Sequence, residues 1–179
     1  MWPWPLLAGL ACSAFLGYFF LFSFVWGAGF EPTPRRSVEK MLELLAPRQG
    51  ETLYDLGSGI GTIVLCAAER YPIRCVGLEL EPLRYAISLV RAWLRRGRLK
   101  GQVTFLRRNI FRVPLNKADM VTLFLTAGTH KRLEKKLLNE LRQGARVATY
   151  YHPMPGWRAS GYSPEHRVYL YVIGQSERG

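Results

Sequence analysis

Histidine and cysteine are scarce in this sequence, three residues of each. Cys12, Cys66 and Cys75 are an odd set, lie among apolar neighbours and show neither a CxxC spacing nor a Cys/His ligand pattern. A disulfide framework and a zinc site are thereby excluded, and buried free thiols are expected instead, as suits a reducing compartment. Acidic side chains are outnumbered, 13 against 25 Lys and Arg, leaving a net charge of +12. A chain so poor in acid attracts something anionic, and nucleic acid, acidic protein and anionic lipid all qualify. Internal repeats and low-complexity segments are absent too, and 179 residues suffice for one domain with one core.

The most localised absence is of charge itself: no side chain in residues 1–30 is charged. Residues 6–25 are a nearly unbroken apolar run, which as a helix at about 1.5 Å per residue crosses a hydrocarbon core of about 30 Å. Trp2, Trp4 and Trp26 fall near its ends, where headgroups favour amphipathic rings. The competing reading, a cleaved signal peptide, wants a basic n-region and a shorter apolar stretch. Arg35 and Arg36 follow the run, so positive-inside bias places what comes next on the cytoplasmic side of a single-pass membrane protein. Phe30-Glu31-Pro32-Thr33-Pro34 is a stiff connector because each proline fixes its own φ and keeps the preceding residue out of helix. The expected organisation is an anchor over residues 1–30 and a folded domain over 31–179.

Val38, Met41, Leu42 and Leu45 then recur at helical spacing. Beyond them, short apolar runs at 52–56, 75–80, 103–106, 120–125, 145–151 and 168–173 alternate with amphipathic stretches at 62–70, 82–96 and 130–142. This alternation predicts an α/β fold, a parallel sheet with helices on both faces. No helix fits between the last two runs, so the final strand is expected to return antiparallel.

Leu53-Tyr54-Asp55-Leu56-Gly57-Ser58-Gly59-Ile60-Gly61 reads as a strand entering a glycine loop that opens a helix near Thr62. Glycines there let a ligand approach the backbone closely, at the carboxyl end of the sheet. Glu79, ending the next strand and followed by Leu80, is placed to accept from ribose hydroxyls. The pattern therefore signals a ribonucleoside cofactor. Thr62 stands where a dinucleotide fingerprint wants a small residue, and Asp55 would repel a pyrophosphate. S-adenosylmethionine instead brings an ammonium, a sulfonium and one carboxylate. Asn109, after the third strand, can take adenine's amino group while the Ile110 amide offers a donor to the ring.

Asp55-Leu56-Gly57-Ser58-Gly59-Ile60-Gly61 with Glu79 resembles the E/DxGxGxG motif and ribose-binding acid of class I S-adenosylmethionine-dependent methyltransferases. Glu31-Pro32-Thr33-Pro34, Leu133-Glu134-Lys135-Lys136-Leu137, Met154-Pro155-Gly156-Trp157 and Val168-Tyr169-Leu170-Tyr171-Val172-Ile173-Gly174 are similar to the small archaeal-type protein lysine methyltransferases. Those are related to membrane-anchored mitochondrial lysine methyltransferases. The resemblance implies a Rossmann-like sheet and a cofactor site lined by Thr33, Asp55, Gly57, Ser58, Gly59, Gly61, Glu79, Leu80, Asn109, Ile110 and Thr126. Ile60, Thr62 and Asn109 depart from it, standing where the family commonly has an acidic, a basic and an acidic residue.

Transfer of a sulfonium methyl is a direct displacement, so an enzyme mainly aligns the reacting atoms. Thr126, Tyr150, Tyr151 and His152, after the fourth and fifth strands, are the groups expected to cradle a lysine amine, with Thr126, Tyr151 and His152 as the catalytic candidates. His130 and His166 read as solvated helix-start or turn residues, and Asp119 as lying at the far end of the sheet. Arg84, Arg91, Arg95, Arg96, Arg98, Lys100, Arg107 and Arg108 read first as a solvated face and second as a contact for anionic lipid. Leu125-Thr126-Ala127-Gly128 lacks the [DN]PPY pattern of exocyclic-amine methylation in nucleic acids, making nucleic acid an unexpected partner. The substrate expected is a membrane-associated protein lysine, with membrane lipid as the second partner. A membrane-dissolved quinone or lipid substrate, or a non-catalytic cofactor-binding module, stay open as alternatives.

Overall fold

The computed structural model describes residues 3–10, 13, 17 and 33–176. The chain divides into two units, residues 1–31 and 32–179. In the first, residues 4–10 are helical, with Trp4, Leu6, Leu7 and Leu10 exposed. Most of the apolar run at 6–25, with Trp2, Trp26 and Cys12, lies outside the described residues. Among the described residues no helix is long and apolar enough to cross a membrane.

The second unit contains helix α1 (Arg35–Leu45), strand β1 (Thr52–Leu56), α2 (Thr62–Arg70), β2 (Arg74–Glu79), α3 (Pro82–Arg95) and β3 (Gln102–Arg107). It continues with β4 (Met120–Leu123), α4 (Ala127–Glu140), β5 (Arg146–Tyr150), β6 (Gly161–Ser163) and β7 (Val168–Val172). The seven strands form one sheet in the order β3-β2-β1-β4-β5-β7-β6. Strands β1 to β5 are parallel, and β7 pairs antiparallel with β5 through Tyr171 opposite Val147, as expected from the missing crossover helix.

Alternation along the strands builds a core on each face. Leu53, Met120 and Ala148 meet Val38, Met41, Leu42 and Leu45 of α1 and Val64, Ala67 and Ala68 of α2. Leu56, Val121, Leu123 and Val147 meet Leu133 and Leu137 of α4, together with Met154 and Trp157 from the chain after β5. Trp157 donates its indole N–H to Glu134 at 3.1 Å and stands edge-on to Tyr171, whose hydroxyl accepts from the Met154 amide at 3.0 Å. Asp119 accepts from the Thr52 amide at 2.7 Å at the amino-terminal edge of the sheet, the far end expected for it.

Three differences from the sequence reading have local causes. Helix α4 begins at Ala127 rather than at residue 130, because Thr126 caps it, its hydroxyl accepting from the Thr129 amide. Strand β6 is missed because three residues carry no period, and only pairing with β7 makes them a strand. The basic tract is not one solvated face: Arg84 and Ser88 are buried, and Arg91 donates to the Ile60 carbonyl at 2.5 Å. Arg95 pairs with Glu69 of α2 at 3.3 Å. Cys66 and Cys75 are free, and burial, helped by the Asp55 carboxylate, pushes Cys75 up to about 12, so it is an inert thiol.

Candidate functional site

The parallel strands all end on one side, and the chain there is irregular in five places. After β1, Gly57, Gly59 and Gly61 each take a left-handed φ, of 85°, 53° and 78°, a conformation that costs other residues about 1–2 kcal/mol each, and Gly61 leads directly into α2. The Gly57 and Ser58 amides both donate to the Leu78 carbonyl at 2.9 Å, stitching the loop to β2. The glycines have different duties. A Cβ at Gly61 would lie 2.4 Å from Phe105 Cζ, and one at Gly77 would lie 2.5 Å from Phe105 Cδ1 and 2.8 Å from Ser58 Oγ. A Cβ at Gly59 would meet nothing within 4 Å. Gly61 and Gly77 therefore serve packing, while Gly59 leaves open space against the backbone, the room a ligand needs.

This contrast predicts that Gly61→Ala destabilises the domain by about 2 kcal/mol in urea unfolding, since it adds backbone strain and displaces Phe105. Gly59→Ala should cost only the backbone term of about 1 kcal/mol, since its Cβ meets open space, yet weaken cofactor binding in calorimetry. Equal stability losses with retained binding would contradict the assignment.

Glu79, at the end of β2, is 8 % exposed. Its Oε1 accepts from the Leu80 and Glu81 amides, both at 2.9 Å, and its Oε2 accepts from Gly59 at 2.8 Å. With two acceptor directions per oxygen, Oε1 is filled and Oε2 retains one for a ligand hydroxyl. The expectation that Glu79 accepts from both ribose hydroxyls is thus narrowed to one free acceptor direction, on Oε2. Asp55, 2 % exposed beneath the loop, accepts from the Thr122 hydroxyl at 2.8 Å. Burial pushes its pKa up to about 7; the Thr122 hydrogen bond opposes the rise and the Glu79 charge adds to it. Ser58 Oγ is buried without a hydrogen-bond partner.

Asn109, just past β3, accepts on Oδ1 from the Phe111 amide at 2.9 Å and so shapes its own turn, with Ile110 half-buried after it. Thr33 is buried in the connector before α1. After β4, Leu125 faces Gly57, its Cδ2 2.8 Å from where a Cβ there would lie, and Phe124 stacks edge-on to Tyr150 at 4.6 Å. Thr126 is exposed and lies 3.0 Å from Thr129 Oγ1.

After β5, Tyr151 adopts a left-handed φ of 67°, uncommon for a bulky residue and a mark of strain held by its surroundings. Its ring lies 4.9 Å from that of His152 and 4.9 Å from the Arg167 guanidinium, and His152 faces His130 at 6.4 Å.

His130 is a correction: it is fully buried, not solvated, with Nδ1 3.4 Å from the Pro153 carbonyl and Nε2 without a partner. Burial lowers its pKa, so the ring is neutral at pH 7. His166 is a turn residue as expected, 3.1 Å from Ser163 Oγ. The residues missed by sequence reasoning are Gly77, Phe105, Thr122 and His130. A glycine inside a strand and a hydroxyl inside an apolar strand were signals for Gly77 and Thr122; His130 offered none.

The open space at Gly59, the free direction on Glu79 Oε2 and the buried carboxylate of Asp55 fit a cofactor that joins a ribose to a cationic amino-acid part. Among the described residues no cluster of His, Cys, Asp and Glu could hold a metal ion.

Comparison with known proteins agrees with this chemistry. Residues 55–161 match the model of the ANTKMT methyltransferase domain. A protein-lysine N-methyltransferase of Saccharolobus islandicus is 32% identical over 160 residues, 86% of this chain and 98% of that protein. The mouse adenine nucleotide translocase lysine N-methyltransferase is 37% identical over 140 residues, 77% of this chain but only 60% of its own length. Among solved structures, an RNA methyltransferase from Salinibacter ruber in complex with S-adenosyl-L-homocysteine is 32% identical, with a TM-score of 0.75 over 80% of this chain and 94% of that one. The chain belongs to the ANTKMT methyltransferase domain family and is an S-adenosylmethionine-dependent methyltransferase.

Proposed function

We propose that this enzyme is a protein lysine N-methyltransferase whose residues 1–30 form a single-pass anchor, holding residues 31–179 on the cytoplasmic side of a membrane. The observation that carries the substrate reading is the aromatic group beside the cofactor loop, Phe124, Tyr150 and Tyr151 with His152. Aromatic faces attract a cationic amine without fixing it as firmly as a carboxylate does, and Tyr151 already holds one cation, that of Arg167. The names of the archaeal and mouse relatives support the same substrate class.

When bound, S-adenosylmethionine supplies an electrophilic methyl on a sulfonium. In this reading Glu79 Oε2 holds a ribose hydroxyl, Asp55 offsets the ammonium, and the backbone of Gly57, Ser58 and Gly59 forms the floor, while Gly61, expected to line the cofactor, is closed off by Phe105 and shapes the turn instead. Thr33, Leu80, Asn109 and Ile110 enclose the remainder. A lysine has an ordinary pKa near 10.4, so presenting it neutral at pH 7 costs about 4–5 kcal/mol. Desolvation among the rings lowers that cost, with Thr126 and Tyr151 orienting the amine and His152, half-buried between Tyr151 and His130, accepting the proton.

A second reading, an RNA substrate, is favoured by the likeness to the Salinibacter ruber RNA methyltransferase and by the chain's positive charge. Incubation with radiolabelled S-adenosylmethionine and native membranes, followed by separation into protein, lipid and RNA, distinguishes them. Label on lysine in the protein fraction is expected. Label confined to RNA or to the lipid extract would overturn the lysine assignment.

A further inference from the structure

Helix α3 is amphipathic in the wrong sense for a helix that only packs on its own domain. Its inward face carries Arg84, Ser88, Arg91 and Arg95, while Ile87, Leu89, Val90, Trp93 and Leu94 are exposed, Trp93 at 62% and Leu94 at 67%. These five positions span less than half the helix circumference, so they form one continuous outward stripe. A contiguous apolar face of this kind marks a binding surface, because water alone gives no reason to keep it.

We propose that this stripe is an interfacial membrane contact, with α3 lying in the headgroup region of an anionic bilayer. The charge around it selects the occupant. No Asp or Glu occurs between Glu81 and Asp119, a stretch holding ten Lys and Arg. Arg96, Arg98 and Lys100, directly after the helix, are exposed, and the Arg96 guanidinium lies over the Trp93 ring at 4.8 Å. Aliphatic side chains entering the acyl boundary, a tryptophan at its edge and a cationic rim at the phosphates are what an anionic leaflet rewards. A second copy of this chain would set one acid-free rim against another, and like charges repel. A nucleic acid would satisfy the rim but leave Ile87, Leu89, Val90 and Leu94 without apolar partners. Because α3 starts three residues after Glu79, a helix resting on lipid also brings the mouth of the cofactor site to the bilayer surface. The contact depends neither on the lysine assignment nor on the anchor.

The test uses the full chain with vesicles of phosphatidylcholine alone or of equal parts phosphatidylcholine and phosphatidylserine, each carrying a lipid with a nitroxide near the headgroup. The emission of Trp93 is isolated as the difference between wild type and Trp93→Phe. We expect it to be quenched in the anionic vesicles, and the docked fraction to fall about tenfold in Val90→Glu/Leu94→Glu or on omitting phosphatidylserine. S-adenosylhomocysteine binding by calorimetry should be unchanged in that double variant, which shows that the domain is still folded. An unquenched Trp93 in both vesicle types, or quenching indifferent to phosphatidylserine, would overturn the proposal. So would protection of Trp93 by an RNA oligonucleotide but not by vesicles, or a disulfide between copies of Leu94→Cys in place of lipid contact. Failure of the lysine assignment would leave Trp93 quenching intact, so the two readings fail separately.

Discussion

Asp55→Asn is expected to stabilise the ligand-free enzyme at pH 8 by about 2–4 kcal/mol while weakening S-adenosylmethionine binding at least about tenfold. The carboxyl has its pKa raised from the ordinary 3.8 to about 7, by burial first and the Glu79 charge in addition, against the Thr122 hydrogen bond. Between those two values the folded protein keeps a proton that the unfolded chain has released. Stability therefore falls as pH rises from about 4 to 7, and the penalty is complete above the folded pKa. Asparagine can accept the same Thr122 hydrogen bond and carries no such penalty. Its advantage should accordingly be large at pH 8 and nearly absent at pH 4, measured by urea unfolding. In wild type the ammonium of the ligand offsets the buried charge, so affinity should rise between pH 6 and 8, whereas the variant should show a flat profile. An equal gain in stability at both pH values would mean that repacking, not charge, is responsible.

Glu79→Ala should weaken cofactor binding by about 3 kcal/mol, roughly a hundredfold, by calorimetry. Two losses combine. The ligand hydroxyl loses a charged acceptor at Oε2, and the Gly59, Leu80 and Glu81 amides lose the group that orders the loop before the ligand arrives. Glu79→Gln separates them. Its one oxygen can serve the Leu80 and Glu81 amides, but its amide group then faces the Gly59 N–H, donor against donor, and offers the ribose a donor in place of an acceptor. An intermediate loss is expected. If glutamine bound the cofactor as well as glutamate, the carboxylate would be an organiser of the loop rather than a ligand.

Much of this was legible in the chain. Periodicity located ten of the eleven helices and strands named above, all but β6, and the absence of a crossover helix foretold the antiparallel β7, because a parallel return needs a dozen or more residues. Asp55, the three loop glycines and Glu79 were readable because a backbone that approaches a ribonucleoside must be glycine-rich and must end its second strand in an acid. Those features are local: neighbours along the chain determine them. The sequence could not divide the work among the glycines, since Gly61 and Gly59 look alike until Phe105, more than 40 residues away, closes on one and leaves the other open. It could not tell that Asp55 titrates near 7, because the burial responsible comes from the neighbouring strands. A row of arginines likewise reads as a solvated face, and only packing against α2 turned Arg91 and Arg95 inward and the apolar stripe of α3 outward. Tertiary structure decided these because desolvation, steric closure and the inward side of a helix are properties of contacts between distant segments, which one-dimensional order does not contain.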